Sequence, residues 1–298
     1  MSDNAGDRTP KTLAEVSHLF FSKAEDREDA DTAEHRGSRG TRYFVVTGDG
    51  GRPGKSTVAV NLASAFLTRG RAALIDADPR IPNARFFLGF PSWHYLSPVT
   101  GNGTPAPNLA IDSGLVVIDH ASRGADLDPA AWGETLSVEI EGLGSREADY
   151  AVLDVPIHRI SLCRPVAERG AEFLVVGRPG WDGFAGTIGT LSVLGGTLGV
   201  ERAGVVVNGA PDAAYATAFH TKINDAARRL LSMETRLMGG IVFEPDLGSE
   251  QRERGAIVHS RPAALSALSL RDVASNALRL CESETGGGNA AVPGSQLE

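Results

Sequence analysis

A glycine-rich turn set between an apolar run and a helix constrains this chain more than any other stretch. Residues 43–61 read Tyr-Phe-Val-Val-Thr-Gly-Asp-Gly-Gly-Arg-Pro-Gly-Lys-Ser-Thr-Val-Ala-Val-Asn. Tyr43 to Val46 is a β-type run that enters a loop holding Gly48, Gly50, Gly51 and Gly54. Lys55-Ser56-Thr57 then opens a helix with Val58, Val60, Leu62, Ala65 and Phe66 at apolar positions. Strand, glycine loop, Lys-Ser and helix is the layout of a phosphate-binding loop. Glycines let backbone N–H groups turn onto a phosphate without Cβ obstruction, and the helix N-terminus adds partial positive charge. In that layout Lys55 reaches the terminal phosphates and the Ser56 hydroxyl holds Mg²⁺. The strict pattern wants a glycine five residues before Gly54, where Asp49 stands. A glycine-rich β–α turn with a chance Gly-Lys-Ser is the plain alternative, and the rest of the chain bears on it.

At 298 residues the chain can bury a full α/β core in one domain. Its net charge of −8 lacks the electrostatic footprint of a dedicated nucleic-acid binder, though a local basic patch is compatible with that total. No apolar run approaches the ~20 residues of a membrane-spanning helix. The N-terminal residues lack the apolar core of a signal peptide. Cys163 and Cys281 stand far apart without metal-type spacing, which fits a reduced cytoplasm and offers no zinc or iron–sulfur site.

Along the chain, short apolar runs alternate with helical stretches, the pattern of a doubly wound, mainly parallel sheet of about seven strands with right-handed crossovers. The strands are expected at Tyr43–Thr47, Arg71–Ile75, Gly114–Ile118, Ala151–Asp154, Phe173–Val176, Gly204–Val207 and Gly240–Phe243, and their non-alternating character indicates burial on both faces. Helices are expected at Lys55–Thr68, Ala130–Glu141, Thr187–Leu198, Ala213–Leu231 and Ala263–Leu280. Three regions result: a mostly disordered segment over 1–41, an α/β domain over 42–282 and a low-complexity tail over 283–298. Within the first, Thr12 to Phe21 carries a capping box (Thr12, Glu15) and one apolar stripe of Leu13, Val16, Leu19 and Phe20. That helix either packs back on the domain or docks on a protein partner. The Pro-, Gly- and Ser-rich stretch Pro91 to Asp112 reads as a long loop, a second candidate contact surface.

Three strand ends are chemically loaded. The second expected strand ends Leu74-Ile-Asp76-Ala-Asp78-Pro. Ligands sit off the carboxyl ends of parallel strands, so both carboxylates would face a phosphate bound by the first loop. One could order Mg²⁺ and another could position an attacking water; the plain alternative is a strand end capping a turn. The run Tyr150-Ala-Val-Leu-Asp154 has the Walker B form, whose carboxylate serves Mg²⁺. Asn208, after Val205-Val-Val207, has an amide able to pair with an adenine edge, or to begin an ordinary turn.

These motifs together resemble the MinD/ParA group of P-loop ATPases, and most its MinD and FlhG/FleN branch. The resemblance runs from about Tyr43 to Leu280. It includes Asn61-Leu-Ala63, Asn83, Leu88-Gly89, Asp149, Val155-Pro156 and the late segment Gly240-Ile-Val-Phe-Glu-Pro245-Asp246 with Gly255 and Arg261-Pro262. It implies an ATP- and Mg²⁺-dependent homodimer that recruits or releases protein partners. By the same resemblance Gly51, Gly54, Lys55, Ser56 and Thr57 bind the nucleotide and Asn208 reads adenine. Ser56, Asp76 and Asp154 serve the metal, and Asp78 with Lys55 carries catalysis.

The family's Walker A loop holds a second, "signature" lysine, and here Gly50 or, with one inserted residue, Asp49 takes its place. Val155 replaces the Thr usual after the Walker B Asp. Arg52 could supply the missing charge from another point of the loop. The expectation is nucleotide binding with weak or absent ATPase activity. The tail after Glu282 has no apolar stripe or basic face, so no membrane anchor is expected. Two other readings stand beside the regulator. One is a P-loop protein of polysaccharide export, suggested by Asp76-Ala-Asp78-Pro-Arg80-Ile-Pro82 although the tail has no tyrosine. The other is a pseudo-ATPase scaffold.

Overall fold

The structure, a computed structural model, describes residues 40–50, 54–78, 84–88, 109–111, 115–119, 148–245 and 254–285. The expectations for the helix at 12–21, for Gly51 and Arg52, for most of the loop at 91–112, for the helix at 130–141 and for the tail from 286 lie outside these residues.

Among the described residues, eight strands form one sheet: β1 (Arg42–Gly48), β2 (Ala72–Asp76), β3 (Leu109–Ile111), β4 (Leu115–Asp119), β5 (Tyr150–Asp154), β6 (Glu172–Gly177), β7 (Arg202–Ala210) and β8 (Glu234–Val242). Their order is β3-β4-β2-β5-β1-β6-β7-β8. Only the short edge pair β3–β4 is antiparallel, and the other pairings are parallel. The described helices are α1 (Lys55–Phe66), α2 (Ala84–Phe87), α3 (Arg164–Ala167), α4 (Trp181–Leu198), α5 (Ala213–Leu231), α6 (Ile257–Ser260) and α7 (Leu265–Thr285), with a 3₁₀ helix over Ile157–Cys163.

Alternate side chains of each strand feed two cores, because successive Cβ atoms point to opposite faces. On one face Val45, Val175, Val205 and Val207 share a cluster with Leu191 and Leu194 of α4 and Phe219 and Ile223 of α5. On the other, Phe44, Val46, Leu174, Val176 and Val206 join Val58, Leu62 and Phe66 of α1 and Leu270 and Val273 of α7. The Phe44 and Phe66 rings lie 4.7 Å apart, fixing α1 against β1. Helix α1 is buried over most of its surface because it packs both on the sheet and on α7, which accounts for the small and apolar residues that fill it after Thr57 and for the burial of Asn61 and Ser64 among them.

Four expectations need correction. The stretch read as a loop over 91–112 contains β3, whose three residues are too short to show a period. Strand β8 starts at Glu234, six residues before the expected Gly240; there it alternates buried Thr235 with exposed Glu234 and Arg236, as an edge strand does. Helix α4 starts at Trp181 rather than Thr187, its first turns hidden by Gly183 and Gly186, poor helix formers by themselves. Helix α7 continues to Thr285, through residues assigned to the tail.

β1 lies between β5 and β6, so the chain crosses to one side of it and later returns to the other. Such a reversal opens a crevice beyond the carboxyl ends of the strands. There the loop after β1 enters α1.

Candidate phosphate-binding site

Gly54 is held by two independent demands. Its φ of 86° and ψ of 23° are left-handed, and a Cβ on it would collide with the side-chain amide of Asn208. Only glycine meets both. From this residue α1 springs, with the Val58 N–H donating to the Gly54 carbonyl at 3.0 Å. The positive end of α1 thus opens on the crevice.

The strand register brings the acidic residues level. Asp154 pairs with Val46 on one side and with Asp76 on the other, and Asp76 in turn pairs with Asp119. Lys55, the first residue of α1, donates from Nζ to Asp154 Oδ1 at 2.9 Å. The Lys55 side chain is 14% exposed and that of Asp154 is fully buried. Burial by itself lowers the Lys55 pKa, but the Asp154 charge, its hydrogen bond and the charges of Asp76 and Asp78 outweigh it. Lys55 is therefore held above its ordinary 10.5 and stays cationic.

Asp154 Oδ2 is buried and has no hydrogen-bond partner among the described residues, and the same holds for Thr47 Oγ1 at the end of β1. An orphaned carboxylate oxygen deep in a crevice is an unexplained cost unless something binds it. Asp76 differs. Its Oδ1 accepts the Asp78 N–H at 3.1 Å and its Oδ2 accepts the Ala84 N–H at 2.9 Å, so it ties the segment after β2 to the start of α2. Asp78 and Thr57 are half-buried, and Ser56 is buried. Thr57 gives its carbonyl to Asn61 Nδ2 at 2.8 Å. Of the two positions that could hold a signature lysine, Asp49 has its carboxylate against Gly186 of α4, where a Cβ would clash with it. Gly50 is exposed with open space around it.

No group of three His, Cys, Asp or Glu among the described residues could hold a metal by protein ligands alone. Mg²⁺ usually takes one or two carboxylates together with substrate phosphate oxygens. The Asp154 oxygen, with the Ser56 hydroxyl at the start of α1, fits that use.

Several contacts escaped sequence reasoning. The buried Asn61 accepts the Val258 N–H at 3.1 Å, His259 Nε2 lies 3.2 Å from the Ser64 carbonyl, and Arg271 donates to the Val258 carbonyl at 2.6 Å. Together they latch α6 and α7 to α1, the helix that carries Lys55. Nothing local in the sequence signals a bond between residues 197 positions apart.

A central strand, a left-handed glycine at the start of the following helix and a buried Lys–Asp pair beside it define an α/β nucleotide-binding domain of the P-loop kind. The profile of the CobQ/CobB/MinD/ParA nucleotide binding domain matches residues 44–255, and the chain belongs to that family. Among solved structures it is similar to the MinC:MinD cell division protein complex of Aquifex aeolicus, at 19% identity and TM-score 0.59, covering 86% of this chain and 99% of that one. The septum site-determining protein MinD of Pyrococcus horikoshii, complexed with Mg-ADP, matches at 19% identity and TM-score 0.58, over 82% and 98% of the two chains. The ATP complex of a McdA point variant from Cyanothece matches at 18% identity and TM-score 0.56, over 81% and 98%. At these identities the likeness establishes the fold. A comparison with curated proteins found no significant match. No helix among the described residues is long and apolar enough to cross a membrane.

Proposed function

We propose that this chain is an ATP-binding regulatory or positioning protein, similar to FlhG and FleN, that dimerises with nucleotide and recruits a protein partner. The observation that carries this reading is the buried Lys55–Asp154 pair under the loop at Gly54, with one carboxylate oxygen left without a partner. Lys55 would exchange its carboxylate for phosphate oxygens, while Gly51, Gly54 and Thr57 offer backbone or hydroxyl donors. Ser56 and Asp154, with Asp76 behind them, would hold Mg²⁺, which when bound neutralises phosphate charge. Asn208, seated against Gly54, would read the base. Asp78 would orient water for attack.

Hydrolysis in this reading is weak or absent, because Asp49 is packed on α4 and Gly50 has no side chain to reach a phosphate. The relatives support a nucleotide and a partner in general terms: one is a complex with Mg-ADP, one with ATP and one a MinC:MinD complex. Contacts for a partner are proposed at residues 12–21 and 91–112, with the domain running from residue 42 to the end of α7, in the cytoplasm.

The test is mass by light scattering with ATP, with ADP and without nucleotide, for wild type and Lys55→Ala. Doubling of mass with ATP in wild type alone supports the switch. An unchanged mass in all samples would reject nucleotide-driven dimerisation.

A further inference from the structure

We infer that Arg178, directly after β6, is a polyphosphate-binding residue of this site and adds to Lys55 a second cation, one from outside the loop after β1. This rests on the nucleotide-binding reading above and deepens it. Lys55 faces the charges of three carboxylates, Asp154, Asp76 and Asp78. One lysine against three acids is a poor host for a polyanion, even with Mg²⁺. Neither Asp49 nor Gly50 adds positive charge.

Arg178 stands where such a charge is needed. β6 lies between β1 and β7, with Gly48 paired to Val176 and Val207 paired to Gly177. Arg178 follows the last residue of β6, and Asn208 follows Val207 on β7, so both come one step beyond the Gly177–Val207 pair. The Asn208 amide reaches from β7 to Gly54 before α1, and β6, which Arg178 follows, lies between β7 and β1. The two also share a face. Gly177 meets Thr187 of α4, on the side of Val175, whereas Leu174, Val176 and Val206 belong to the side of α1. A following proline biases Arg178 toward extended backbone, and continued alternation one residue past the strand would put it on the α1 side with Asn208.

The backbone there is held firmly. The Arg178 carbonyl lies so close to Gly183 of α4 that a Cβ on Gly183 would collide with it. The following Gly180 gives its N–H to the Tyr215 hydroxyl at 3.2 Å. Yet the Arg178 Nε is buried and has no hydrogen-bond partner among the described residues. A guanidinium donor withdrawn from water without an acceptor is costly, and planar N–H pairs match phosphate oxygens. A bound polyphosphate is the acceptor that accounts for it.

The experiment is equilibrium binding of fluorescent ATP, ADP and adenosine analogues, with Mg²⁺, to wild type, Arg178→Gln and Arg178→Lys, each checked by its melting curve. Arg178→Gln is expected to weaken ATP by about tenfold or more, ADP less, and adenosine by less than about twofold; Arg178→Lys recovers part of the ATP affinity. If Arg178→Gln does not fold, the lysine variant decides, by losing more affinity for ATP than for adenosine. Wild-type ATP affinity in both variants, or an equal loss for all three ligands, would overturn the assignment while leaving the nucleotide site intact. No binding of ATP by wild type would overturn the nucleotide reading and this assignment with it.

Discussion

Lys55 Nζ sits 2.9 Å from Asp154 Oδ1, joining the first residue of α1 to the last residue of β5 inside the protein. The pair makes each partner's burial tolerable. Lys55→Ala should leave a buried, uncompensated carboxylate and cost about 3–5 kcal/mol of stability. Lys55→Ala/Asp154→Asn should be more stable than Lys55→Ala alone, because the stranded charge is gone. Urea unfolding of the two single variants and the double variant measures the coupling. Additive losses would show that the two side chains do not depend on each other.

Gly54→Ala meets both a left-handed backbone and the Asn208 amide. The backbone term alone is about 1–2 kcal/mol. Adding Asn208→Ala should relieve the collision but not that term, so stability should return only in part. Thermal melts of the three proteins check this.

Gly50 lies in open space and its φ is not in the left-handed region, so Gly50→Lys should fold with a stability change within about 0.5 kcal/mol. Asp49→Lys must instead displace a side chain packed on Gly186 and should be the less stable of the two. On the proposed reading, phosphate release from ATP should rise in Gly50→Lys. Robust wild-type turnover that disappears in Arg52→Ala would show that Arg52 already performs the lysine's role.

Two histidines should make stability fall in mild acid. Burial lowers the pKa of His220 below the ordinary 6.5, against the Thr235 hydrogen bond that raises it. Burial also lowers that of His259, opposed by its bond to Ser64 and assisted by Arg271. Each imidazole binds its proton less readily folded than unfolded, so this contribution is present above about 6.5 and lost as pH drops below it. The melting temperature should decline from pH 7 to pH 5, and less steeply in His220→Gln/His259→Gln. Parallel pH curves for the two proteins would contradict this.

What was legible in the sequence was local. Tyr43 to Val46, Gly54-Lys55-Ser56 and the apolar runs ending in Asp76 and Asp154 announce themselves because strand, turn and helix start lie within a few residues. What was hidden depends on distant neighbours. The edge strand at Glu234 reads as polar until its alternation meets β7 on one side and solvent on the other. Gly183 and Gly186 look like helix breakers until the Arg178 carbonyl and the Asp49 carboxylate are found occupying the space beside them. Asn61 sits in a recognisable motif, yet its bond to Val258 appears only once α6 is folded onto α1.

The most direct test of the nucleotide-binding account is a titration of wild type and Lys55→Ala with a fluorescent ATP analogue in the presence of Mg²⁺. The account predicts wild-type binding on the order of micromolar and its loss in Lys55→Ala. Binding by neither protein, or by both equally, would contradict a phosphate site built on Lys55.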